Sequence, residues 1–187
     1  MKGKHLTFWS ELGGEPAGCV EFWFKVSGGP VGSGGGAVPL LRMETENAED
    51  VCELALIPDD GEMYGGLWVR GRLGRIASAF KHSYCCDCVA RTCTDGNWHH
   101  MALVWDGAGN IPGVSDANRK ITIFLDGQSN INVGGSPAGE SLLFRRKGLV
   151  RLTFPGSTPV AALPSLGLDN LRVWKVAKTD FSDRYEE

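Results

Sequence analysis

The sequence predicts an all-β fold, an antiparallel β-sandwich. Three observations carry this expectation. Apolar residues recur at every second position in several short runs, Asp-Gly pairs punctuate those runs, and glycine and proline together supply 35 of 187 residues (26 and 9). That share is about 19%, where about 12% is usual, and it leaves little room for a long helical bundle. No window shows an apolar stripe of helical period.

Taken in chain order, the first clear strand is Val20 to Val26. There Val20, Phe22, Phe24 and Val26 point one way, and Glu21, Trp23 and Lys25 point the other. Alternation of this kind puts odd and even residues on opposite faces of a sheet. In His99 to Gly107, Met101, Leu103 and Trp105 share a face opposite Ala102 and Val104. In Lys120 to Gly127, Ile121, Ile123 and Leu125 alternate with Lys120, Thr122 and Phe124. Near the end, Leu171 and Val173 lie opposite Asn170, Arg172 and Trp174. Strands with large apolar groups on both faces are expected to be central, or covered on both sides. A short helical turn is expected near Thr179 to Tyr185.

Asp-Gly pairs stand at Asp60-Gly61, Asp95-Gly96, Asp106-Gly107 and Asp126-Gly127. Glycine takes the positive φ of tight turns and aspartate bonds nearby backbone, so Asp106 and Asp126 read as turn formers. Val26 to Val38 is glycine-rich and reads as a surface loop. Trp105 to Lys120 and Gly134 to Ser141 read as expanded connections. None of them is long enough to divide the chain, so residues 1–187 are expected to form one domain. With 42% apolar and 22% charged residues the composition is that of a globular protein, not a disordered one. No run of about 20 apolar residues offers a membrane span. Nineteen basic against 22 acidic side chains give a net charge of −3, which points away from nucleic acid.

Four elements together resemble the concanavalin A-like lectin/glucanase superfamily, and within it the laminin G-like domains. They are Trp98-His99-His100 entering a strand, the aromatic turn Trp105-Asp106-Gly107, the strand ending Leu125-Asp126-Gly127, and the closing segment Asp169 to Trp174. Val20 to Val26 matches the aromatic-rich second strand of that family. The resemblance spans nearly the whole chain and implies an antiparallel jelly-roll β-sandwich of two curved sheets. For individual residues the expectation is structural. Trp98 and Trp174 are expected to fill the core. Of the adjacent His99 and His100, one is expected to be buried and hydrogen-bonded and the other exposed at an edge. Asp169 is expected to bond backbone rather than metal.

Glucanases of the superfamily resemble one another in a Glu-x-Asp-x-(x)-Glu strand, whose chemistry needs two carboxylates about 5 Å apart on one face. The nearest string here is Glu44-Thr45-Glu46-Asn47-Ala48-Glu49. Its middle acid is glutamate, its intervening residues are polar or small, and Asp50 extends it into an acidic run. It reads as a solvated loop or strand edge. No G-x-S-x-G elbow and no P-loop ending accompany it. Catalysis is not expected.

The segment Phe80 to Cys93 holds four of the six cysteines. Its spacing H-x2-C-x2-C-x4-C suggests a structural zinc site of His82, Cys85, Cys88 and Cys93, because zinc takes four N/S ligands in a tetrahedron. Two other readings stand beside it: reduced, buried thiols, or disulfides that tie the loop to Cys19 or Cys52. Many relatives suggested by the resemblance hold calcium at a rim of the sandwich. Asp59, Asp60 and Glu62 form one tight acidic loop for such an ion, though no family ligand maps onto them. Arg70, Arg72 and Arg75, and the run Arg145-Arg146-Lys147, read as solvated basic faces; a binding site for an acidic partner is the sharper reading.

The expected function is that of a non-catalytic recognition module that binds carbohydrate or protein through rim loops. The alternative is a protein-interaction domain of a larger, multidomain protein. A glucanase-like hydrolase comes third. The lack of a secretory leader, the unpaired-looking cysteines and the start at Met1 fit a domain excised from a larger protein; the compartment stays open, with an intracellular setting slightly favoured over a secreted one.

Overall fold

The computed structural model describes residues 6–27, 38–57, 66–73, 76–85, 93, 95–114, 120–129, 144, 146–154 and 165–185. They form eleven strands: β1 (Leu6–Gly13), β2 (Ala17–Ser27), β3 (Val38–Thr45), β4 (Asp50–Ile57), β5 (Gly66–Leu73), β6 (Ile76–Cys85), β7 (Trp98–Asp106), β8 (Ile121–Leu125), β9 (Gln128–Ser129), β10 (Gly148–Phe154) and β11 (Ser165–Trp174). A 3₁₀ turn, Ser182–Tyr185, follows the last strand within the span expected to be helical. Every strand pairing is antiparallel. One sheet has six strands in the order β1-β10-β3-β4-β5-β6, and the other has five in the order β11-β2-β7-β8-β9.

The alternation in the sequence is realised as two faces. Val20, Phe22, Phe24 and Val26 of β2, Met101, Leu103 and Trp105 of β7, and Ile121, Ile123 and Leu125 of β8 all enter the main core. Leu41, Met43, Cys52, Leu54, Val150 and Leu152 of the six-stranded sheet meet them there. Phe22 and Phe24 are buried to within 1% of full, and each contributes about 1.5–3 kcal/mol of apolar burial. The opposite faces of β2, β7 and β8 also carry apolar residues, because they are covered. Cys19, Ala102, Val104 and Phe124 pack against Ile111, Val114 and Phe181, with Trp174 beside them. The cover comes from the connection after β7 and from the strap 175–185 after β11.

Two turns show how local chemistry sets the register. Asp126 and Gly127 have φ of 51° and 83°, as the two-residue type I′ turn between β8 and β9 requires. Asp106 accepts a bond from the Ala108 N–H at 2.8 Å. At Gly18 an added Cβ would lie 2.2 Å from the Trp105 ring, so β2 and the indole approach each other only because a side chain is missing there.

Strand β11 holds a bulge. Asp169 pairs with Trp23 and Arg172 with Glu21, so three steps along β11 match two along β2. Asn170, at φ 49°, absorbs the extra residue. Leu168 and Leu171 therefore both face the core despite their odd spacing, and Asp169 and Asn170 stand at an outward kink.

Candidate functional site

The kink borders an open depression of about 610 Å3, lined by Trp23, Trp98, Asp169, Asn170, Arg184 and Tyr185. It lies on the outer face of the five-stranded sheet, where the cover of the strap ends. The register rows Trp98–Lys25–Gly167 and His100–Trp23–Asp169 bring the residues of three strands together. Trp98 is 44% exposed, a correction to the expectation that it fills the core. Its ring lies against Gly167, where an added Cβ would be 3.1 Å away. Trp98 is the first residue of β7, and the second cluster that the strap covers does not include it. Trp174, by contrast, is partly buried and packs in the second cluster as expected.

Tyr185 leans over Trp23 with ring centroids 5.2 Å apart, at 46°. The Trp23 indole N–H donates to the Arg184 carbonyl at 3.1 Å, which fixes the end of the strap over the sheet. The Arg184 guanidinium stands 4.7 Å from the Tyr185 ring centre and donates to the Phe181 carbonyl at 2.8 Å. The Asn170 N–H donates to Asp169 Oδ1 at 2.8 Å, and Arg172 Nε donates to Asn170 Oδ1 at 3.1 Å. The aspartate thus bonds backbone, as expected. Its second carboxylate oxygen and the Asn170 amide nitrogen are left for a ligand. The depression offers flat aromatic surface beside a carboxylate, an amide and a guanidinium, a mixture typical of small-ligand sites.

A buried polar network holds the strap in place. Glu21, 1% exposed, accepts from Trp174 Nε1 at 2.7 Å, Lys178 Nζ at 2.9 Å and His100 Nε2 at 3.1 Å. Burial pushes its carboxyl up, but the bonds from His100, Lys178 and Trp174 outweigh burial and hold it at about 2. Lys178 also bonds Asp183 at 2.8 Å and stands 4.5 Å from the Trp174 ring centre. Sequence reading placed Glu21 on the outward face and left it without a role; its partners lie 79 to 157 positions away.

His99 and His100 do face opposite sides, but both are buried and hydrogen-bonded. This corrects the expectation of one exposed ring. His99 Nδ1 meets Asp126 Oδ2 at 2.9 Å and its Nε2 meets Asp95 Oδ1 at 3.1 Å. Asp126 also accepts from the His100 N–H at 2.9 Å, so it joins β7 to the β8–β9 turn as well as forming that turn. The bond to Asp126 raises the His99 pKa; burial opposes this and Asp95 adds to it.

The acidic run is divided rather than presented on one strand. Glu44 is the last residue but one of β3, Glu46 and Glu49 lie in the turn, and Asp50 opens β4. Glu44 and Asp50 are buried, not solvated. Glu44 is bound by Arg42 at 2.9 Å and by Arg151, and Arg42 also binds Glu53. Burial raises the Glu44 carboxyl, yet the two arginines lower it further. That is the opposite of what a general acid needs. Glu49 pairs with Arg146 at 2.8 Å.

Cys19 and Cys52 are free, buried thiols, so neither forms a disulfide to the loop. His82 pairs with Val69 and Cys85 with Gly66 along β6. Cys93 lies in the core. Cys86 and Cys88 lie outside the described residues, as do Asp59, Asp60, Glu62, Asp60-Gly61, Arg75, Arg145 and the loops 28–37 and 134–141. Among the described residues no three His, Cys, Asp or Glu side chains gather as a metal site. Arg70 and Arg72 occupy alternate positions of β5 opposite Glu53 and Val51.

Two antiparallel sheets of this order, closed by a strap, match solved structures across most of the chain. The mouse laminin alpha1 chain, domains LG4-5, matches 92% of this chain at TM-score 0.53 and 14% identity, over 39% of its own length. The chain has a laminin G-like, concanavalin A-like jelly-roll fold. The same sandwich matches the binding domain of botulinum neurotoxin DC, solved in complex with rat synaptotagmin II, over 89% of this chain and 34% of that one (TM-score 0.57, 10% identity). It also matches a botulinum neurotoxin type C structure whose description concerns cell entry dependent on two ganglioside molecules, over 90% and 34% (TM-score 0.57, 9% identity). The laminin G-like sandwich therefore spans little more than a third of these chains. No family model and no curated protein matches the sequence. At such identities the likeness establishes the fold.

Proposed function

We propose that the protein is a non-catalytic recognition module whose ligand is a carbohydrate, bound in the depression between Trp98, Trp23 and Tyr185. The observation that carries this reading is the exposed Trp98, held against Gly167 beside the free groups of Asp169 and Asn170. A pyranose has an apolar face of C–H groups and a rim of hydroxyls. Aromatic rings suit the first, and a carboxylate with an amide suits the second. The site uses the sheet face and strap end rather than rim loops. The matched laminin structure and neurotoxin binding domains are consistent with a binding role on this fold, and the arginine-bound Glu44 argues against a glucanase.

A protein partner is the second reading. Trp98, Trp23, Tyr185 and Arg184 are of the residue types that dominate protein interfaces. The buried free thiols of Cys19 and Cys52 support a reducing, intracellular compartment.

A glycan array followed by calorimetry on Trp98→Ala tests the first reading. The wild type is expected to bind a defined set of glycans, and the variant to bind them at least about tenfold more weakly, a loss of about 1.4 kcal/mol. Its melting temperature should change little, since the ring is half-exposed. Glycan binding that survives Trp98→Ala unchanged refutes the site, and an array without specific signal shifts the case to a protein ligand.

A further inference from the structure

A guanidinium carries N–H donors and no acceptor. An amide that meets it must turn its oxygen towards it and its nitrogen away. Arg172 Nε donates to Asn170 Oδ1 at 3.1 Å, so the Asn170 NH2 group is turned away from Arg172. Asn170 stands at the kink of β11 with φ of 49°, a conformation that asparagine adopts more readily than most residues. A bulge of this kind re-aims a side chain, and Asn170 lines the depression beside Asp169. The amide oxygen is engaged, and the two amide hydrogens are what a ligand meets.

Arg172 is itself held from the strap. Its Nη1 donates to the Asp183 carbonyl at 3.3 Å and stands 3.7 Å from the Asp183 carboxylate. Lys178 donates to that carboxylate at 2.8 and 3.0 Å, and to the buried Glu21 at 2.9 Å. A line of charge-assisted contacts therefore runs from the buried carboxylate of the sheet, through the strap, to the amide at the ligand site.

We propose that Arg172 is a positioning residue that sets the polarity of the depression, a role that rests on the carbohydrate reading and narrows the ligand. By holding the Asn170 oxygen it presents a donor from Asn170 beside an acceptor from Asp169. Asp169 Oδ1 is taken by the Asn170 N–H at 2.8 Å, which leaves Oδ2 as that acceptor. A hydroxyl both donates and accepts. Two hydroxyls on adjoining ring carbons therefore fit, one giving its proton to Asp169 and the other receiving one from Asn170. With the amide turned round, the site would show two acceptors side by side and lose this discrimination.

Calorimetry with the bound sugar and its single-deoxy derivatives tests the proposal on the wild type and three variants. In the wild type, removing either hydroxyl of one adjoining pair should weaken binding by about tenfold or more, as in sites built around hydrogen bonds to the ligand. Arg172→Met keeps an apolar stem and removes the donor. The penalty for the hydroxyl that accepts from Asn170 should then shrink below about threefold, while the penalty for the one that donates to Asp169 stays. Arg172→Lys keeps a donor and should restore both penalties, a rescue that a merely structural role would not produce. Asn170→Asp suits the same backbone and still faces Arg172, but offers no donor. It should keep the wild-type melting temperature and bind about tenfold more weakly or worse. Without any ligand, side-chain amide NMR should find the Asn170 group as rigid as the backbone in the wild type and mobile in Arg172→Met. Equal deoxy penalties in the wild type and Arg172→Met overturn the proposal, and so does an Asn170 amide that stays rigid in Arg172→Met. A wild type that binds no glycan refutes the carbohydrate reading and the hydroxyl pair with it; the amide measurement then decides the role of Arg172 alone.

Discussion

Glu21→Gln should remove a large part of the protein's acid sensitivity. The carboxyl is held at about 2 against an ordinary 4.5, a difference worth about 3 kcal/mol. A depressed carboxyl pKa contributes stability that is fully present above its unfolded value. That contribution is lost as pH falls through the folded value, so the window runs from about 4.5 down to about 2. In the wild type, protonating Glu21 leaves Lys178 with Asp183 alone and weakens the grip of Trp174 and His100 on the sheet. Glutamine keeps an acceptor for Trp174 and Lys178 but takes up no proton. Urea unfolding followed by tryptophan fluorescence at pH 7, 4.5 and 3 measures both proteins. The variant should be less stable at pH 7, because it loses the charge that faces Lys178. Between pH 4.5 and 3 its stability should fall less steeply, by about 1.4 kcal/mol per pH unit. Parallel pH dependences would show that Glu21 is not the titrating group and that the account of the strap is wrong.

Other consequences follow the same logic. His99, raised by Asp126 and Asp95, gives stability that is complete below the ordinary histidine range and fades as pH rises through its elevated value. His99→Gln should lose about 1–2 kcal/mol near pH 6 and less at pH 9, measured by thermal melts at both. Gly18→Ala drives a methyl group into the Trp105 ring and should cost about 1–3 kcal/mol in urea unfolding; a neutral result would mean that β2 and the indole separate easily. Burial raises the Cys19 and Cys52 thiols well above their ordinary value, so both should resist iodoacetamide in the native protein and react once it unfolds. Peptide mass spectrometry reads this, and prompt native labelling of Cys52 would contradict its place in the core.

Two charged clusters divide the molecule by task. On the six-stranded sheet Arg42, Arg151, Glu44 and Glu53 form a cross-strand lattice whose carboxylates are neutralised, so this face is a structural surface. On the five-stranded sheet Glu21, Lys178 and Asp183 fasten the strap, and the end of the strap supplies Tyr185 and Arg184 to the depression. Anchoring by buried ionic contacts thus couples the stability of the strap to the shape of the proposed ligand site. Loss of the anchor at low pH should weaken binding before it unfolds the sandwich.

The period-two pattern by itself determined the strands and their core faces at Val20 to Val26, Met101 to Trp105 and Ile121 to Leu125. A strand exposes its burial preference in the order of its residues. The Asp126-Gly127 turn was legible for the same reason, since its backbone conformation depends on two adjacent residues. Apolar groups on both faces of β2, β7 and β8 announced a cover without saying what supplies it. Tertiary structure decided the rest. Glu21 became the centre of a network only when Trp174 and Lys178, more than 150 positions away, were folded over it. Trp98 looked like core because it opens a core strand, yet the cluster that the strap covers does not include it, and it stays exposed. The two histidines found their carboxylates across strands. Alternation along a chain is a local property, whereas who covers a residue, and who faces its charge, depends on distant segments brought within a few ångströms.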